Sequence, residues 1–251
     1  MKIVLLSHIL AAALLFSFHS CKSEEDTYLS LPLQADYLPL FPGKYAEYVV
    51  DSLIFDPKAP IPSYARTVLV RELVTDTFRL TDGQLAYRIE RSERPADTLP
   101  WQVTQVLSAA LEENRIVIRE DNLAFIRLVL PPRQGLQWDG NAFLDPATVV
   151  SVAGENLEMF KNWSYRIAED PVAWEIDNLL RFDSVVTVSE ADDENLIELR
   201  RSTARYAKGV GLVYREAWIL DTQCVTDCMG MTWEEKAEKG YILRQRITNH
   251  N

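Results

Sequence analysis

Few residues in this chain can do covalent or metal chemistry, and their positions narrow the choice at once. Of three histidines, His8 and His19 fall in an apolar N-terminal run, which leaves only His250, the second-last residue. A Ser/His/Asp triad, a Cys/His pair or a histidine zinc site would have to be built around a terminal residue, where chains fray. Cys224 and Cys228 stand within Gln223-Cys224-Val225-Thr226-Asp227-Cys228-Met229-Gly230. In an oxidising compartment this spacing suits a small disulfide loop that staples a turn; the other reading, half of a metal site, lacks a second cysteine pair or a nearby histidine. No cofactor is implied. The 37 acidic residues supply chance carboxylate pairs of the kind a glycoside hydrolase uses, but none sits in a local motif. Asp192-Asp193-Glu194 offers hard oxygens suited to calcium, and reads more simply as a solvated turn. In the loop that holds Trp138, Gly140 and Asn141, Trp138 either folds back to plug one end of a barrel or stacks on a flat ligand such as a sugar, with Asn141 as a polar contact.

The third cysteine has a different setting. Lys2 precedes an almost unbroken apolar run over residues 3–18, and His19-Ser20 leads into Cys21 and the polar patch Lys22-Ser23-Glu24-Glu25-Asp26. A positive start, a short apolar stretch and a small residue before the cleavage point define a secretory signal. The run falls short of the roughly 20 residues of a spanning helix. It resembles a bacterial lipoprotein signal peptide over residues 1–20, with Phe18 and His19 where such signals usually carry Leu and a small residue. Cleavage would leave Cys21 as a lipidated N-terminus, and two or more acyl chains at about 0.8 kcal/mol per buried methylene make a stable anchor. The acids that follow resemble an export signal to the cell surface.

Removing residues 1–20 takes away one lysine and no acid, leaving 25 basic against 37 acidic residues. Nucleic acid is a poor partner for such a chain, because affinity there comes from neutralising phosphates. At 47% hydrophobic residues over its full length the chain has ample material for a packed core.

Residues 21–36 read as an acidic tether and 37–251 as a single domain. Strand-like runs cover 44–55, 64–74, 77–80, 85–90, 101–111, 115–119, 123–130, 182–188, 196–206, 212–220 and 241–248, separated by turn chemistry such as Asp82-Gly83. The part over 107–112 also fits a helical turn. Residues 142–171 are ambiguous: Leu157, Phe160 and Trp163 fit a short helix, whereas 163–167 alternates as a strand, and Pro171 ends the run. Thr232-Trp233-Glu234-Glu235 is a capping-box pattern for one short helix, which Gly240 would end. The whole predicts an antiparallel all-β domain, a strongly curved sheet closed as a barrel or half-barrel of lipocalin-like or lipoprotein-carrier-like form, with a β-sandwich as the alternative.

Three stretches carry a resemblance. Tyr37-Leu38-Pro39-Leu40-Phe41-Pro42-Gly43 leading through Tyr45 and Tyr48 to Val50-Asp51-Ser52, the loop from Leu130-Pro131-Pro132 to Gly135, Trp138, Gly140 and Asn141, and Tyr206-Ala207-Lys208-Gly209-Val210-Gly211-Leu212-Val213 are similar in order to a group of uncharacterised Bacteroidota outer-membrane lipoproteins. Ala46 and the Cys224/Cys228 pair depart from that pattern. The resemblance implies an envelope location and brings no catalytic residue. The expected function is therefore non-enzymatic, binding a partner or contributing to envelope structure; the alternatives are a carrier or sensor of a hydrophobic ligand in a barrel cavity, and a carboxylate-based glycoside hydrolase. Metabolic labelling with an alkynyl fatty acid should tag the wild type and leave Cys21→Ala untagged. Equal labelling of both would remove the anchor.

Overall fold

The computed structural model describes residues 34–177 and 179–251; the signal segment, Cys21 and most of the tether lie outside the described residues. A single 3-10 turn, Ala35–Tyr37, precedes the strands β1 (Tyr45–Phe55), β2 (Ser63–Arg79), β3 (Leu85–Arg94), β4 (Gln102–Glu112), β5 (Arg115–Glu120), β6 (Leu123–Val129) and β7 (Gln137–Trp138). Then follow β8 (Val150–Val152), β9 (Glu155–Leu157), β10 (Tyr165–Ile176), β11 (Leu180–Glu194), β12 (Glu198–Ala207), β13 (Gly211–Asp221), a one-turn helix α1 (Trp233–Lys236) and β14 (Lys239–His250).

Twelve strands make one antiparallel sheet in the order β6-β5-β4-β3-β2-β1-β14-β13-β12-β11-β10-β7, and β8 and β9 pair separately as a hairpin. Alternation sets which side of each strand faces in: Ala46, Tyr48 and Val50 of β1 are buried while Tyr45, Glu47 and Val49 are only half so. The two edges of the sheet meet. Ile126 of β6 donates its N–H to the Gly140 carbonyl just past β7 (2.8 Å), and the Trp138 indole N–H donates to the Ile126 carbonyl (2.8 Å). This seam nearly closes the sheet into a barrel and satisfies backbone groups that an open edge would leave bare. One continuous sheet excludes the sandwich alternative.

The start of the domain plugs one end. Tyr37 is buried, its hydroxyl 2.6 Å from Ser184 Oγ, and Gly209 N–H donates to the Asp36 carbonyl (2.7 Å). Leu38, Pro39 and Leu40 reach the interior from the same end, where β1 begins. At the other end the sheet is capped externally: Trp233 of α1 packs with Phe55, Leu199, Leu220 and Ile242 on the outer wall, and its indole donates to Glu194 Oε1 (2.8 Å).

Several local expectations need correction. Residues 63–79 form one strand, not two, because a register shift between Val74 and Asp76 lets the ladder continue. Residues 107–112 lie in β4. Pro171 does not stop a strand: it sits inside β10 where register shifts flank it and where β7, paired only at Tyr165 and Arg166, makes no demand on its missing N–H. The turn expected at residues 192–195 comes later, since β11 runs to Glu194 and β12 starts at Glu198. Gly240 does not end the helix, which stops at Ala237; it lies in β14 at φ +111, where a Cβ would strike the Ile219 carbonyl. His250 is the last residue of β14, paired with Ala46, with its ring 6.2 Å from Phe182, and is not a frayed end.

The seam is testable at Gly140, where an added Cβ would run into the Tyr165 ring. Gly140→Ala should lower the unfolding free energy by about 1–3 kcal/mol, the usual range for overpacking, read as a shifted urea midpoint at constant slope.

Candidate functional site

Inward positions near the plug are largely apolar, toward the opposite mouth apolar side chains mix with Ser52, Arg66, Glu93 and Gln245, and a layer of charge lies between. Arg91 on β3, Glu120 on β5, Arg127 on β6, Glu190 on β11 and Arg215 on β13 all point inward, and Glu72 on β2 joins them. Arg127 Nη2 donates to Glu120 Oε1 at 2.7 Å, and Arg91 Nη1 lies 3.3 Å from Glu120 Oε2. Arg91 also donates to Glu72 Oε1 through Nε and Nη2 (2.9 and 2.7 Å). Glu190 sits between two cations: Oε1 accepts from Arg215 Nη2 (3.1 Å) and lies 3.5 Å from Arg127 Nη1, while Oε2 accepts from Ser202 Oγ (2.7 Å). The Glu190 side chain is 1% exposed and that of Arg127 8%. Arg127 lies over the Phe125 ring, 4.1 Å from its centroid, and contacts the Tyr165 hydroxyl (3.4 Å).

Burial alone would push the carboxyls of Glu190 and Glu120 up. Arg215 and Arg127 around Glu190, and Arg127 and Arg91 around Glu120, outweigh it and hold both below the ordinary carboxylate range. Burial likewise works against charge on Arg215, and Glu190 keeps that guanidinium protonated. Tyr241, on β14 above the layer, is pushed up to about 12 by burial and stays neutral.

The layer divides the interior. Arg91, Glu120, Arg127 and Arg215 border both a small inner chamber of about 80 Å³, closed by the Leu38–Leu40 plug, and a larger outer chamber of about 370 Å³ toward the mouth. The outer chamber has Phe125, Met159, Phe160 and Trp163 on one side and Val50, Val68 and Ala217 on the other. Its roof is the chain that follows the β8–β9 hairpin, through Met159, Phe160 and Trp163. Phe160 packs on Phe125 (centroids 5.3 Å apart), and Trp163 donates its indole N–H to the Met159 carbonyl (2.7 Å). The roof is pinned by Arg200, whose Nε reaches the Glu158 carbonyl (3.2 Å), and by the ion pairs Lys58 to Glu155 (2.6 Å) and Lys161 to Glu198 (3.1 Å).

The residues singled out in the sequence lie elsewhere. Trp138 is half-buried in the barrel's side seam, its ring 5.6 Å from Tyr165, so it closes the wall and does not plug an end. Asn141 Oδ1 accepts from the Tyr165 hydroxyl (3.2 Å) beside the same seam. Neither borders the two chambers. Cys224 and Cys228 are bonded to each other, with Cα atoms 5.9 Å apart, in the loop between β13 and α1. Cys21 lies outside the described residues. The charged layer was missed, although a signal was present: Arg127 follows Phe125 by two, Glu190 follows Val186 and Val188, and Arg215 follows Val213, each charge falling on the apolar side of its strand.

Fold and interior together define the class: an antiparallel barrel closed along its side, plugged at one end, with an ionic floor beneath a roofed chamber. No family model and no curated protein matches the sequence. Among solved structures, the chain is similar to a hypothetical protein of Chlamydia trachomatis, at 9% identity over 88% of this chain and 92% of that one, with a TM-score of 0.34. It is also similar to a Bacteroides fragilis protein described as exported and of YmcC-like fold (10% identity, 84% and 99% covered, TM-score 0.35). A third, from Parabacteroides distasonis, is described as a lipoprotein (10% identity, 86% and 98% covered, TM-score 0.33). Likenesses at this level carry no argument about what this chain does.

Two outcomes test the layer. Glu190→Gln leaves Arg215 and Arg127 without their shared anion, and removing one partner of a buried pair typically costs about 3–5 kcal/mol. Because both carboxyls bind protons less readily folded than unfolded, the unfolded chain takes up more protons in acid. Stability should therefore hold above the ordinary carboxylate value of 4.5 and fall as pH drops below it, less steeply in Glu190→Gln. Denaturant melts across pH measure both.

Proposed function

We propose that the protein is a lipid-anchored, non-enzymatic protein of the cell envelope that binds a small molecule in its outer chamber. The observation that carries this reading is the chamber itself: about 370 Å³ of space, near the lower end of the roughly 300–1,000 Å³ typical of small-molecule sites, with an apolar and aromatic side set against charged groups such as Arg127, Glu190 and Arg215. The location rests on the secretory run and Cys21, and an outer-membrane anchor is the form its motifs resemble. Membrane attachment is through the N-terminal lipid.

The competing functions fit less well. A carrier for long acyl chains needs a deep apolar cavity, whereas here charge crosses the barrel and leaves only the short inner chamber beyond it. A glycoside hydrolase of the two-carboxylate kind needs one acid that keeps its proton near neutrality. Glu120 and Glu190, the carboxylates of the floor that border the outer chamber, are both held ionised by arginine.

Ala217, on the chamber wall, offers a test. Native mass spectrometry of protein extracted gently from its own membranes should show a bound small molecule on the wild type and none on Ala217→Phe, whose ring occupies the space. Wild type without any adduct, or an adduct retained by the variant, would contradict a chamber ligand.

A further inference from the structure

Resting on that reading of the outer chamber, we propose that its ligand is a small amphipathic monocarboxylic acid, bound with its carboxylate on Arg215 and Arg127 and its apolar body between Phe125, Phe160 and Trp163. The floor is short of acceptors and not of donors. Each oxygen of Glu190 and Glu120 accepts from or lies against a named partner: Arg215, Arg127 and Ser202 for Glu190, and Arg127 and Arg91 for Glu120. The guanidiniums are less well served. Arg215 carries five N–H groups and donates to Glu190 through Nη2, while its side chain stays 19% exposed beside the chamber. Arg127 donates to Glu120 and Tyr165 and lies 3.5 Å from Glu190. A buried donor without an acceptor is costly, and a ligand carboxylate supplies two oxygens in the fork geometry that guanidinium matches.

Size agrees with this choice, since the volume suits a compact body and not a diacyl lipid. The aromatic and thioether wall of Phe125, Phe160, Trp163 and Met159 matches a flat or short-chain apolar group.

The test uses full-length lipidated protein in lipid nanodiscs, with empty nanodiscs as the blank, and saturation-transfer NMR with phenylpropionate, octanoate and the neutral analogue phenylpropionamide. The acids should bind, the amide at least tenfold more weakly. Arg215→Gln should weaken the acids at least tenfold while leaving the residual amide affinity unchanged, which also shows that the chamber is still formed. Trp163→Ala should weaken acid and amide alike. If the amide binds as well as the acids, or Arg215→Gln leaves acid binding intact, the carboxylate assignment is wrong while the chamber remains a ligand site. If no probe binds, or Trp163→Ala and Ala217→Phe leave binding unaltered, the chamber reading itself fails.

Discussion

Glu190 wedged between Arg215 and Arg127 is the interaction on which the interior depends. It ties β11 to β13 across one side of the barrel and to β6 across the other, and Arg127 passes the link on to Glu120 and, through Arg91, to Glu72 on β2. Removing such groups from water carries a large desolvation penalty, and well-packed apolar residues of similar volume often do as well or better for stability. An ionic floor is therefore a poor way to fill a barrel that needs only stability. It is a good way to hold donors at fixed positions beneath a chamber, since each guanidinium is oriented by a carboxylate that cannot itself move far.

The rest of the architecture sets the plug on one side of that floor and the outer chamber on the other. Tyr37 and the Leu38–Leu40 segment fill the end from which β1 starts. The roof at the opposite end is held by main-chain contacts from Arg200 and by ion pairs such as Lys58 to Glu155, with a side-chain exposure of 73% at the lysine. Exposed pairs of this kind contribute little, on the order of 0–1 kcal/mol.

The sheet was legible in the sequence because alternation and turn residues are local signals: Asp82-Gly83, Glu113-Asn114 and Asp121-Asn122 separate strands that pair with their neighbours. Closure into a barrel was expected, but the seam that makes it was not legible, since it depends on Ile126 meeting Gly140 and Trp138 from the far edge, a register that no short window contains. Pro171 misled because its effect depends on whether a partner strand asks for its N–H, and β7 is too short to ask. The charged layer was overlooked for a related reason. Trp138 is conspicuous in a polar loop, yet its indole is spent on a backbone carbonyl, whereas Arg127, Glu190 and Arg215 look like ordinary strand charges until their side of the strand is counted. Only when the three strands are brought round the barrel do those side chains share one layer.

A double-mutant cycle on Glu190 and Arg215 tests most directly whether they act as one buried unit. Unfolding free energies of Glu190→Gln, Arg215→Met and the double variant should give a coupling of at least about 2 kcal/mol, with the double variant more stable than Glu190→Gln alone, because the stranded guanidinium is gone. Additivity to within about 0.5 kcal/mol would mean that the two side chains are solvated independently and that no ionic floor exists.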